Sequence, residues 1–303
     1  MQNDVCVQHT NVPRYPAFAF KSAGLVENSE EKSPDEEREL CLKLIEDIDR
    51  RQSYIRSSLH WYTFNTPVPS VLQGYRRPMC GLVALSMAGH MLEKCRSSVP
   101  QYTNNDILQA AIKLGFTKQG EMFSVYDMAV LARNLYSCEV TIYDTEMKHN
   151  AHTILTNLIC GHPLIVPYDN DRNFEPCLQR GHRAHWAIIT GAVIGNKKKI
   201  FDDNHLQFHK KLPNLVKIID SQWFQENLAD ELALQDGENI NTSLIYLYGK
   251  QGKSARYRLW SLNSLSTSNS NLKEYDPKRD WNWLHCPYNL EDTLCNKYMV
   301  LHF

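Results

Sequence analysis

Hydrophobic spacing divides the chain into two kinds of segment. In the front half apolar residues return every three or four positions: Cys41, Leu44, Ile45 and Ile48, then Ala84, Met87, Ala88, Met91, Leu92 and Cys95. That period puts each set on one face of an α-helix. Polar punctuation marks the ends. Ser33, Pro34 and Glu36 supply an N-cap, a first-turn proline and a capping-box glutamate. Pro78 is accepted only at a helix entry, so the second helix starts at or just before Cys80. Thr103 caps a third helix that stops near Gly115, and Ser124, with Asp127 three residues on, caps a fourth.

Further along the period shortens. EVTIY (139–143), PLIVPY (163–168), HWAIITGAVI (185–194), SLIYLYG (243–249), RYRLW (256–260) and KYMVLHF (297–303) are β-branched and aromatic runs bounded by Gly, Pro and Asn, the signature of strands. Helices followed by strands predict an α+β fold with a mainly antiparallel sheet packed against the helix that begins near Cys80. Residues 1–32 are polar and aperiodic and read as a loose tail; 33–303 read as one domain. Within it, a charged stretch at about 196–241 reads as an insertion at a loop, with IIDSQWFQENLADEL as a short helix. SLNSLSTSNSNL (261–272) approaches low complexity.

Composition narrows the function classes. Lys and Arg number 33 against 34 Asp and Glu, a net charge of -1, so no global field draws the chain to nucleic acid or to an anionic membrane. The start lacks a charged segment leading into an apolar core, and no run of about 18 apolar residues occurs, which predicts a soluble, cytoplasmic protein. Nine cysteines, scattered and without a CxxC pair, read as reduced thiols rather than a disulfide framework.

Candidate chemistry sits at the start of the second helix. A thiol is nucleophilic as thiolate, and the free N–H groups of a helix N-terminus favour that anion. Cys80 holds this position, with a lowered pKa as the expectation and Gly81 read as room for a substrate backbone. Cys41 and Cys95 fall on apolar stripes, where core packing accounts for them. A base is needed next. His185, in GHRAHWAIITGAVIG, opens a strongly apolar strand from which an imidazole can face a helix start; His182 is in the preceding loop, and His90 is too far along its helix. The Cys80 N–H and the Gln73 side chain, seven residues upstream, are candidate donors to an oxyanion.

These residues carry a resemblance. Gln73, the Cys80-Gly81-Leu82 helix start and the His185-Trp186 strand resemble papain-like cysteine peptidases, in particular the bacteriocin-processing C39-like branch. PMCGLVALSMAG, GHPLIVPYD, EPCLQRGHRAHWAIITG and YGKQGKSARYRLWSL together are similar to the actin maturation protease family, from about residue 58 onward. That resemblance implies a cytosolic aminopeptidase that removes the N-terminal acetylated methionine or acetylated cysteine of immature actin. It implies Cys80 as nucleophile, His185 as general base and acid, and Gln73 as oxyanion donor, with no cofactor. Some members carry a proline-rich N-terminal segment that binds profilin. Residues 1–32 contain only Pro13 and Pro16, which leaves a profilin contact unsupported.

Other readings stay open at this level. Cys177, His182 and His185 form a C-x4-H-x2-H cluster near Asp169 and Asp171, the raw material of a zinc hydrolase. A non-catalytic actin-binding module is a third class. The group that orients the imidazole is Gln251 or Asp220, and Arg76, Arg77, Arg180 and Arg183 are candidates for a basic rim.

Overall fold

The structure, a computed structural model, describes residues 34–51, 59–73, 77–196, 206–209, 212–218, 241–278, 281–286 and 288–302. Its first helix, α1 (Pro34–Arg51), starts where the proline signal puts it. The helix α2 (Cys80–Cys95) starts at the candidate cysteine itself. Then come α3 (Asn104–Lys113) and α4 (Val125–Tyr136). Thr103 and Asp106 close a reciprocal capping box, and Ser124 accepts the Asp127 N–H, so both predicted caps form.

Six strands of the sheet follow the predicted runs: β2 (Glu139–Asp144), β3 (Leu164–Asp169), β4 (Ala184–Asn196), β7 (Ile245–Lys250), β8 (Arg258–Ser261) and β9 (Lys297–His302). Three others were not predicted. HWYTFN forms β1 (His60–Asn65) inside the front half expected to be helical. The stretch read as a loop insertion contributes β5 (Leu206–His209) and β6 (Leu212–Ile218), and β6 pairs in parallel with β1. Leu215, Val216 and Ile218 of β6 are buried, which is why this stretch belongs to the sheet and not to a loop. Apart from Ile218, the helix expected over IIDSQWFQENLADEL lies outside the described residues, as does the 1–32 tail.

The strand order is β2-β9-β3-β4-β1-β6-β5, with β7 pairing β4 and β8 pairing β7; every described pairing but β1 with β6 is antiparallel. The long strand β4 organises it. One edge pairs with β3 over residues 184–189 and with β1 over 191–196, while the other pairs with β7. At the hand-over stands Gly191, where a Cβ would lie 2.2 Å from the Phe64 carbonyl oxygen. Only glycine fits that approach.

The sheet packs against the helix that begins at Cys80, as expected, and helices cover its other face as well. On one face α2, α3 and α4 bury Leu82, Leu85, Met87, Met91, Ile107 and Leu131 against Ile165, Trp186 and Ile188. On the other, α5 (Ala151–Ile159) and α6 (Leu262–Ser270) pack Ile154, Leu155, Leu158, Leu262 and Leu265 against Leu164, Val166 and Ile189. The serine-rich SLNSLSTSNSNL is therefore an ordered helix rather than low-complexity chain. Its polar residues are the reason: Asn269 Nδ2 donates to the carbonyls of Pro167, Leu294 and Lys297, and Ser268 Oγ bridges Asp169 and Cys177. A last short helix, α7 (Leu290–Thr293), leads into β9. Among the described residues no helix is long and apolar enough to cross a membrane.

Candidate active site

Met79 precedes α2 without a side-chain cap, and no acidic residue occupies its first turn. The N–H groups at this helix start therefore face the Cys80 sulfur and whatever enters beside it. Cys80 is half-buried there. Burial pushes its thiol pKa up, and the backbone N–H groups of Trp186, Gly81 and Cys80 itself offset only part of the rise. The expected lowering is thus overturned: withdrawing the sulfur from water costs the thiolate more than the helix start returns. Gly81 also has a different role from the one expected. A Cβ on it would meet Trp186 at 3.1 Å and Met122 at 3.2 Å, so the glycine lets α2 press onto β4 and the 120–123 loop.

His185 is the second residue of β4, a strand in the interior of the sheet, and it is buried. Its Nε2 lies 3.1 Å from Gln251 Oε1, just past the end of β7. That oxygen also accepts the Lys253 backbone N–H, which fixes which way the amide faces. An acceptor oxygen against Nε2 requires the proton on Nε2, and this leaves Nδ1 as the basic nitrogen. Burial lowers the imidazole pKa to about 4, only partly countered by the Gln251 bond, while Lys253 and Arg183 push in the same downward direction. The ring rests neutral, edge-on to Tyr168 with centroids 5.9 Å apart.

Gln73 joins this group through its backbone, donating its N–H to the Gly252 carbonyl at 2.6 Å. Its side-chain Nε2 donates to the Arg77 carbonyl, and its Oε1 is buried without a partner. The structure therefore brings Cys80, His185, Gln251 and Gln73 to one end of the sheet. Asp220 and Arg76 lie outside the described residues.

The metal cluster does not form. His185 is engaged with Gln251, His182 Nε2 meets Glu274 Oε1 at 3.2 Å, and burial raises the Cys177 thiol to about 11. Among the described residues no three His, Cys, Asp or Glu side chains are gathered to hold an ion. Arg180 leaves the proposed rim as well, since its Nε donates to Glu274 Oε1 at 2.8 Å.

A cleft of about 280 Å³ opens at Cys80, lined by Met122, Phe123, Trp186, Trp281 and Leu284 with Glu121, Asn170 and Arg183 among its polar residues. Two buried carboxylates shape it, and sequence reasoning gave neither this part. Asp169 accepts the N–H groups of Gln179, Gly181 and Arg183, moulding the loop that feeds β4. Glu121 accepts those of Lys118, Gln119 and His285. Burial pushes the Glu121 pKa up, but these N–H bonds outweigh it and hold the carboxyl below the ordinary value. The signal was too thin to find: one glutamate whose third donor lies 164 residues away.

Together these features set a thiol at a small cleft and a buried, neutral imidazole on the strand whose neighbouring residues, Ala184 and Trp186, line that cleft, on an α+β scaffold. Comparisons with known proteins give the particular family. Residues 68–193 match the family model described as actin maturation protease-like, C-terminal domain. A Xenopus tropicalis protein named actin maturation protease is 39% identical over 240 residues, covering 79% of this chain and 72% of the relative. Its namesake from Danio rerio is 36% identical, covering 84% and 79%, and that from Homo sapiens 35%, covering 77% and 64%. The chain belongs to the actin maturation protease family.

Proposed function

We propose that this chain is a cytosolic cysteine aminopeptidase of papain-like architecture that removes the N-terminal acetylated methionine or acetylated cysteine from immature actin. The observation that carries the reading is the His185–Gln251 contact beside an uncapped helix start that begins with Cys80. It supplies an oriented base next to a nucleophile and to free N–H donors.

His185 Nδ1 takes the thiol proton as Cys80 Sγ attacks the carbonyl carbon of the first residue. The C–S bond forms and the carbonyl electron pair moves to oxygen, which the Cys80 N–H and the Gln73 amide, turned from Arg77, hold. Collapse breaks the C–N bond, and the imidazolium gives its proton to the leaving amine. Water, deprotonated by His185, then hydrolyses the thioester and returns the thiol. A resting thiol beside a neutral imidazole suits this order, in which the proton moves as the sulfur attacks.

The cleft supports a blocked terminus. An α-ammonium needs a carboxylate, and the one acidic residue lining the cleft among the described residues, Glu121, already accepts three backbone N–H groups. Apolar Met122, Phe123, Trp186 and Leu284 suit a methionine or cysteine side chain.

The test is incubation of wild type, Cys80→Ala and His185→Ala with acetylated peptides of the actin N-terminus, read by mass spectrometry. Wild type is expected to release one acetylated residue, and each variant to lose about four orders of magnitude in kcat/KM or more. A wild-type protein that binds actin and leaves every peptide whole makes the chain a binding module instead.

A further inference from the structure

An aminopeptidase needs something that stops the chain from sliding further into its cleft, and the structure shows a built candidate. Residues 275–278 and 281–286 lie against residues 117–123 and are fastened to them, with Trp281 and Leu284 lining the cleft. The fastening is Glu121, 2% exposed, whose Oε1 accepts the His285 N–H from the overlying segment and the Lys118 N–H from its own, while Oε2 accepts the Gln119 N–H. A second tie runs from Gln119 Nε2 to the Trp283 carbonyl.

What this holds in place is aromatic. Phe123 meets Tyr275 and Trp281 edge-on, with centroids 5.1 and 5.8 Å apart, and Tyr275 and Trp281 are themselves 5.0 Å apart. Trp281 Nε1 is anchored on the Asp276 carbonyl at 2.7 Å. Trp281 and Leu284 face the cleft, whereas Trp283 between them is 69% exposed. A buried carboxylate that shares its acceptors between its own turn and the overlying segment is a costly arrangement for a mere surface loop. At about 280 Å³ the cleft lies at the lower end of the ~300–1,000 Å³ range of ligand sites, a size that suits one blocked residue.

We infer that this Glu121-fastened wall of Phe123, Trp281 and Leu284 is the stop that limits removal to a single blocked residue. The inference rests on the aminopeptidase reading of the same site and assigns it a specificity determinant. Trp281 limits the room directly. Glu121 is a positioning residue that acts through the loop.

The experiment compares two blocked peptides, one ending in acetylated methionine and one with a single extra acetylated residue ahead of that methionine. Wild type releases the acetylated methionine from the first and no acetylated dipeptide from the second. Trp281→Ala releases the dipeptide, shifting the ratio of dipeptide to single-residue kcat/KM at least tenfold; Glu121→Gln shifts it the same way by less. A folded Trp281→Ala protein, judged by circular dichroism, that cuts the first peptide and never yields the dipeptide overturns the inference.

Binding separates this result from the parent reading. In Cys80→Ala protein the first peptide should bind at least tenfold more tightly than the second by calorimetry, and adding Trp281→Ala should erase the gap. A gap in binding with no turnover by wild type sinks the peptidase reading and leaves the stop standing. No gap sinks the stop.

Discussion

The thiol and the imidazole rest on supports of opposite kinds. Cys80 begins a helix whose next residues, Leu82, Val83, Ala84, Leu85, Met87 and Ala88, are wholly buried, so its position is fixed by close apolar packing. His185, second in its strand, has its ring held by one amide oxygen and its preceding loop by Asp169, while Glu121 holds the wall of the cleft. Packing energy spreads over many atoms, whereas a hydrogen-bonded anchor is concentrated in one group. The helix side should thus set how stable the protein is, and the loop side how well it works.

The sharpest break of that comparison pairs two substitutions. Leu85→Ala removes a fully buried side chain and is expected to cost about 2–5 kcal/mol in urea unfolding, with kcat per folded molecule little changed. Gln251→Ala is expected to do the reverse. It frees the ring to turn and to adopt either tautomer, and kcat should fall roughly 10²-fold, less than the ~10⁴ that follows loss of an ionised orienting group. If the two variants exchange these phenotypes, the division is wrong.

Asp169→Asn sharpens it on a smaller scale. The amide keeps one acceptor oxygen and turns an NH₂ toward N–H groups that the carboxylate had satisfied. About 1–3 kcal/mol of stability should go, and kcat/KM should fall with it because the loop that loosens leads directly into His185. Hydrogen exchange at Gln179, Gly181 and Arg183 should rise while that of α2 stays slow, and uniform loosening of both would count against the idea.

The helix side was also the more legible one. Its apolar period, the Pro78 entry and the Thr103–Asp106 and Ser124–Asp127 caps are local signals, and local signals survive in a single sequence. Cys80 and His185 stood out by their places at element starts and by resemblance. Gln251 was left as one of two options, because nothing within the turn says that it meets a ring 66 residues away. The failures share a cause. β6 joins the sheet only because β1 offers it an edge, α6 is ordered by carbonyls from β3 and β9, and Glu121 answers to His285. Each depends on partners distant in sequence, so no window of residues contains the signal.

A last test of the comparison is the pH dependence that follows from burying the imidazole. His185 has an ordinary value near 6.5 when unfolded and about 4 when folded, so between those values the unfolded chain binds a proton that the native one refuses. Its contribution to stability is therefore fully present above about 6.5 and is lost as pH falls toward 4. Asp127 opposes this: burial raises it to about 6, so the native state takes up its proton first and gains relative stability on acidification. The two partly cancel in the whole protein. His185→Gln removes one member of the balance, and the difference in unfolding free energy between wild type and this variant, read from urea titrations, should shift by about 3 kcal/mol or less between pH 6.5 and 4, wild type losing more. The rate should follow the same ring: kcat/KM holds down to about pH 4 and falls below it, where Nδ1 can no longer take the thiol proton. An acid limb centred near 6.5 would mean that the folded protein leaves this imidazole as open to water as a free histidine, and that the loop side does not shield it.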